Sequence, residues 1–215
     1  MTDLVMLGAT GHLRSVGDSL LAQGIYRMAQ ILDDNTPIGT EMCGGAVTGR
    51  FDRLPELFRQ GYRYAFVSAG SIGNYDVKRR LYEQALDLGF TLVNIIDPTA
   101  AVARNAVLGK NVFIGKNAVV NSYAVIEDMA CINTGAIVEH NGVVEQFATV
   151  APGCTFCGAV HVCRGAHVGA GSTVLQEVTI GEHALVGVGS VVTRDIPAGM
   201  KAYGVPCRVV GPSGY

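Results

Sequence analysis

The chain has 215 residues, 49% hydrophobic and 16% charged, with 16 Lys and Arg against 18 Asp and Glu for a formal net charge of −2. That length holds one medium domain or two small ones, and its scattered basic residues make no electrostatic footprint for nucleic acid or an anionic membrane surface. Met1, Thr2 and Asp3 precede only four apolar residues, and no uninterrupted stretch of about 18 apolar residues occurs, so a soluble, cytoplasmic protein without membrane or nucleic-acid partners is expected.

In chain order, Leu4 to Leu7 form a short apolar run that ends in Gly8-Ala9-Thr10-Gly11-His12, after which Leu13, Val16 and Leu20 recur at helical spacing until Gly24. The pattern predicts strand, glycine turn and helix. Met28 to Leu32 predict a second strand ending at Asp33-Asp34, and Tyr64 to Ser68 a third ending at Gly70-Ser71-Ile72-Gly73-Asn74. A helix from Asp76 follows, with Val77, Leu81, Ala85 and Leu88 as its apolar face and Gly89 as its left-handed stop; Leu92 to Ile96 then form a last strand closed by Asp97-Pro98. This alternation predicts a small, Rossmann-like α/β domain with a parallel sheet over residues 1–98. In such a sheet the ligand crevice lies beyond the carboxyl ends of the strands, where the loops Gly8 to His12, Asp33-Asp34 and Gly70 to Asn74 fall. Gly8 and Gly11 allow close backbone approach at a helix N-terminus, a natural seat for phosphate. The same glycines also suit tight strand-to-helix turns, and GATGH is not the GxGxxG fingerprint.

From Val107 to Ile196 the chain divides into consecutive six-residue blocks without insertion or deletion: VLGKNV, FIGKNA, VVNSYA, VIEDMA, CINTGA, IVEHNG, VVEQFA, TVAPGC, TFCGAV, HVCRGA, HVGAGS, TVLQEV, TIGEHA, LVGVGS and VVTRDI. The second place is Val, Leu or Ile everywhere but Phe156, and the sixth is mostly small. Neither a helix nor an alternating strand has that period. Three hexads make one triangular coil, so an all-β parallel β-helix of about five coils is predicted within residues 99–215, with Val138, Val144, Val150 and Val162 in one buried stack.

The cysteines Cys43, Cys131, Cys154, Cys157, Cys163 and Cys207 sit mostly in hexads where small apolar groups are wanted, and Cys154-x-x-Cys157 has no second CxxC to complete a tetrahedral site. Reduced packing thiols and no metal are expected. His161 and His167 share the first place of successive hexads, on faces a third of a revolution apart, and cannot converge on one ion. His183 reads as a surface corner. His140, in the fourth place of IVEHNG, is at a corner pointing away from the interior, and Gly158 follows one full coil later.

GATGH, ILDDN, the Val47-Thr48-Gly49 segment leading to Leu54, AGSIGN, the VEH hexad and the closing Gly204-Val205-Pro206-Cys207-Arg208 together resemble the left-handed β-helix sugar O- and N-acetyltransferases, among them the bacillosamine, perosamine and sialic acid acetyltransferases. The resemblance implies left-handed coils and a homotrimer with active sites between neighbouring prisms. It also implies acetyl-CoA as co-substrate along residues 99–215 and a nucleotide-linked sugar held by residues 1–98. It makes His140 the general base, a task suited to imidazole, and Gly158 the backbone amide that binds the acetyl carbonyl. Asn133 matches an asparagine near the base. Asn141 stands where many relatives carry Glu or Asp, and Thr149 where some carry a second histidine. Acceptor contacts are implied at Gly11, His12, Asp33, Asp34, Gly70 and Asn74, and acetyl-CoA contacts at Thr149, Gly158, Ala170, Val188 and Arg208. The expected reaction is acetyl transfer to the amino group of a UDP-linked 4-amino sugar, with O-acetylation of a sialic acid or related hydroxyl as the alternative. A γ-carbonic-anhydrase-like metalloenzyme, which needs three convergent histidines, and a non-catalytic β-helix binding module are more distant.

Overall fold

The computed structural model describes residues 1–70 and 75–214. They divide into two compact units, residues 1–70 with 75–98, and residues 99–214.

The first unit runs β1 (Thr2–Leu7), α1 (Gly11–Gln23), β2 (Tyr26–Leu32), β3 (Glu41–Met42), β4 (Gly45–Gly49), α2 (Leu54–Arg59), β5 (Tyr64–Val67), α3 (Asp76–Asp87), β6 (Thr91–Leu92) and β7 (Ile95–Ile96). Its sheet has the order β3-β4-β2-β1-β5-β6. Neighbours are parallel except at the β3–β4 hairpin. Leu4 to Leu7 in the central strand are fully buried, as are Leu13, Val16 and Leu20 of α1, so the helical spacing read in the sequence is the face that packs. Gly24 ends α1 in the left-handed region (φ 69°) with its N–H on the Leu20 carbonyl. Three differences from the expectation stand out. The hairpin β3–β4 and the six-residue α2 lie between the second and third expected strands, too short to show a period. The last expected strand is broken into β6 and β7. In α3 only Leu81 and Ala85 are buried, while Val77 is 48% exposed.

The second unit is the β-helix. Each hexad contributes a two-residue strand from its first and second places, and strands eighteen residues apart pair in parallel, as in the series Cys131, Thr149, His167, Leu185 and the series Ile137, Thr155, Thr173, Val191. The second-place residues from Ile114 to Val192 are all buried, at 1% exposure or less. Val138, Val144, Val150 and Val162 all point inward, but they divide among three sheets rather than one stack: Val144 lies against Val162, Val138 against Phe156 and Val150 against Val168. The expected single stack is therefore corrected to one stack per face. After most strands the third-place carbonyl accepts from the sixth-place N–H, as at Glu139 and Gly142 (3.1 Å). From Asn111 to Gly189 the fifth place takes positive φ, even with Asn141 (59°), Ala159 (56°) or His183 (56°) there, which is the backbone of a type II turn. The cysteines are free thiols. Cys154 fills a sixth place, donates to the Gly169 carbonyl at 3.1 Å and is pushed by burial up to about 11. An antiparallel hairpin, Met200–Gly204 with Cys207–Pro212, caps the stack.

Among the described residues no helix is long and apolar enough to cross a membrane.

Candidate active site

The first cluster of site residues lies at the carboxyl edge of the small sheet, where β1 passes into α1 and β5 ends beside it. Gly8 has φ 114°, and a Cβ on it would lie 2.5 Å from the Ala69 nitrogen. Only glycine admits this approach, and Ser68 locks it by donating its hydroxyl to the Gly8 carbonyl at 2.6 Å. Gly70 donates its N–H to the Thr10 hydroxyl (3.2 Å), and a Cβ there would meet the Cβ of His12 at 3.4 Å. Gly11, His12 and Gly70 are thus adjacent. Asn74 lies outside the described residues.

Burial, then the positive charge of Lys78, pushes His12 down to about 4. Its ring is accordingly neutral near pH 7 and acts through hydrogen bonds rather than as a charge.

Asp33 behaves differently from the expectation of a carboxylate turned to a ligand. It is 5% exposed. One oxygen accepts from the Ala9 N–H (2.7 Å) and the other from the N–H groups of Asn35 (2.9 Å) and Thr36 (2.8 Å). Burial alone would raise its pKa, but these backbone donors together hold it below the ordinary carboxylate range. It shapes the loops. The exposed carboxylate at this edge is Asp34, which accepts from the Phe51 N–H at 3.0 Å. A separate hollow lined by Thr2, Asp3, Arg27 and Tyr62 opens at the amino ends of the strands, the opposite edge.

The second cluster sits on one corner of the β-helix. His140 and Gly158 occupy fourth places one coil apart, tied by the Ala159 N–H to the His140 carbonyl (2.9 Å). The imidazole lies over Gly158: a Cβ on that glycine would be 2.6 Å from Cε1 and 2.7 Å from Nε2 of the ring. Nδ1 of His140 is 3.0 Å from Oδ1 of Asn141. An amide oxygen can only accept, so Nδ1 is the nitrogen that carries a hydrogen, and in the neutral ring the lone pair is on Nε2. Among the described residues the Gly158 N–H has no acceptor. Glu139 does not reach the ring; it accepts from Asn121 Nδ2 (2.9 Å) and from the His140 N–H (3.2 Å), which fixes the corner backbone. This support was not expected from the sequence, although Asn121 and Glu139 share the third place eighteen residues apart, a signal that was present.

The remaining expected residues are elsewhere on the same prism. Asn133 belongs to the preceding corner of the same coil, with its side-chain oxygen on the Thr134 N–H (2.8 Å). Ala170 and Val188 stack on that corner too, joined through the Gly189 N–H and the Ala170 carbonyl, and Val188 is 75% exposed. Thr149 is on a strand between Cys131 and His167. Arg208 is exposed on the terminal hairpin. His161 and His167 lie in different sheets, as expected.

The family model described as the PglD N-terminal domain matches residues 3–85. A variant of perosamine N-acetyltransferase from Caulobacter crescentus, solved in complex with CoA and GDP-perosamine, is 35% identical over 98% of this chain and 98% of that one, with a TM-score of 0.90. The acetyltransferase domain of PglB from Neisseria gonorrhoeae, solved with acetyl coenzyme A, is 30% identical over 97% of this chain and 98% of that one, with a TM-score of 0.89. Among curated proteins, the dTDP-3-amino-3,6-dideoxy-alpha-D-galactopyranose 3-N-acetyltransferase of Aneurinibacillus thermoaerophilus is 56% identical over 43 residues, 20% of this chain and 22% of that protein. The chain therefore spans only about a fifth of that relative's length.

Proposed function

The chain belongs to the left-handed β-helix sugar acetyltransferases, and on that premise we propose that it transfers the acetyl group of acetyl-CoA to the amino group of a nucleotide-linked amino sugar, with His140 as general base. The observation that carries this reading is the His140 imidazole lying over Gly158, its Nδ1 on the Asn141 amide oxygen at 3.0 Å. Nε2 takes the proton from the acceptor amine as its nitrogen attacks the thioester carbonyl. The Gly158 N–H donates to the oxygen that becomes negative in the tetrahedral intermediate, a contribution of about a hundredfold or more in rate. Collapse of that intermediate breaks the carbon–sulfur bond and releases the CoA thiolate. Asn141 positions the ring without adding a charge. Thr149, Ala170, Val188 and Arg208 are proposed contacts of acetyl-CoA. Asn133, which is on a different corner from His140 in one chain, joins the site only if copies associate as a trimer.

The carboxyl edge of the small sheet, with Gly11, His12, Asp34 and Gly70, is proposed to hold the sugar nucleotide. Its resemblance to the GDP-perosamine-bound relative supports this reading. Thiol release from acetyl-CoA against a panel of UDP-, GDP- and CMP-linked amino sugars and free sialic acid tests the whole proposal, and absence of turnover with every amino sugar would overturn it. In the same assay, His12→Ala and Asp34→Ala should each raise the acceptor KM about tenfold or more, the effect of one or two lost hydrogen bonds, and leave the KM for acetyl-CoA unchanged. An unchanged acceptor KM removes the first unit from acceptor binding.

Gly158 offers a sharper test. The three atoms nearest to a methyl group there all belong to the imidazole, and the backbone is not in the left-handed region. Gly158→Ala should therefore keep the thermal midpoint while displacing the ring by about 1 Å and lowering kcat on the order of a hundredfold. Normal turnover would separate the His140–Gly158 contact from the chemistry.

A further inference from the structure

We propose that Glu145, His161 and Cys163 form a binding site for a borderline-soft divalent cation of the zinc type, one that staples two successive coils of the β-helix. One ligand atom from each of the three lies within 4.8 Å of the others. The repeat accounts for their meeting. Glu145 and Cys163 occupy third places one coil apart, and His161 is two residues before Cys163, so all three side chains leave the same outer face. Their strands pair Val143 with His161, which makes the frame as rigid as the prism itself.

The donor set is chemically coherent. Imidazole nitrogen, thiolate sulfur and carboxylate oxygen are the three protein ligand types of zinc, and three protein ligands leave a fourth, tetrahedral position for water. Nε2 of His161 already faces Oε1 of Glu145 at 2.7 Å, and the other carboxylate oxygen accepts from the Arg164 N–H at 2.8 Å, which orients the group. Ligand atoms around tetrahedral zinc are about 3.5 Å apart, given bonds of roughly 2.0–2.3 Å. The His161–Glu145 pair, at 2.7 Å, has to open and the pairs with Cys163 to adjust for a cation to enter. Burial, then the negative charges of Glu145 and Glu182, push the Cys163 thiol up; the same negative field favours a dication, and coordination releases the thiol proton to solvent.

His161 opens the strand that follows the Ala159 corner, so the three ligands lie on the face after the His140–Gly158 corner, and the cation is proposed as structural. The inference does not rest on the proposed reaction.

The test is a Co(II) titration of the chelator-stripped 215-residue chain followed by optical absorption. One Co(II) per chain should bind with a thiolate-to-cobalt charge-transfer band in the near ultraviolet and d–d bands in the visible, both lost on adding zinc. Cys163→Ser should abolish the charge-transfer band, His161→Ala and Glu145→Gln should each weaken binding at least about tenfold, and Cys157→Ser should change nothing. Zinc should raise the thermal midpoint of the parent chain and leave that of Cys163→Ser unmoved. No cobalt band in the parent chain overturns the proposal. A band that survives in Cys163→Ser, or disappears in Cys157→Ser, overturns it equally. The conservative Glu145→Gln, at a partly exposed residue, keeps the question open to measurement should either of the other ligand variants fold poorly.

Discussion

His140→Ala is expected to lower kcat by about 10² to 10⁴, the usual range for a lost general base, while acetyl-CoA still binds with nearly its original affinity. The separation follows from geometry. The ring is exposed at a corner and holds no part of the interior, so its removal should leave the coils intact. On the proposed mechanism the Gly158 N–H and the groups along the neighbouring corner remain for the thioester, and what disappears is the Nε2 lone pair and with it the route for the amine proton. Isothermal titration with CoA and steady-state kinetics on one preparation read the two quantities together. Near-normal turnover in His140→Ala would sink the base assignment; loss of CoA binding with loss of turnover would make the histidine a binding group instead.

Val150→Asp is expected to destabilise the β-helix by on the order of 3–5 kcal/mol, the cost of forcing a carboxylate into an interior that offers it no partner. Val150 is fully buried against its equivalents in neighbouring coils, and the interior at that level is lined by second-place and sixth-place side chains such as Ile132, Ala148, Cys154 and Val168, none of them a cation. Thr173→Asp is the matched control. Thr173 stands in a first place, one residue before a buried valine, and its side chain points outward, so the same charge should cost under about 1 kcal/mol. Chemical denaturation of both variants reads the difference. Equal stability would contradict the inward-facing second place.

The β-helix could be read from the sequence because its rule is local and repeated: every second place carries a branched or large apolar residue and most sixth places a small one, so fifteen hexads state the same geometry. The pairing of His140 with Gly158 was legible for the same reason, since eighteen residues always return the chain to the same corner. The parts that escaped have no period. The strand Glu41–Met42 is two residues long and α2 only six, below the length at which either periodicity can be recognised. Asp33 looked like a carboxylate turned outward because it follows a strand at the ligand edge; the three backbone amides that occupy it come from Ala9, Asn35 and Thr36, and the first of these is 24 residues away. Glu145 and His161 occupy different places of their hexads, and their contact depends on a glutamate long enough to reach diagonally onto the next coil. A rule that counts in eighteens cannot see a contact across sixteen residues.

The type II corners let the coil close every eighteen residues with no slack, and that makes the chain between His140 and Gly158 a ruler. One residue added to it would turn every later inward side chain to the outside and, by the same displacement, slide the Gly158 amide off the imidazole. Folding and turnover thus share one tolerance for length. Insertions that survive here should arrive as whole turns of eighteen residues or as loops pushed out at a single corner, and variants of any other length should lose activity and stability together.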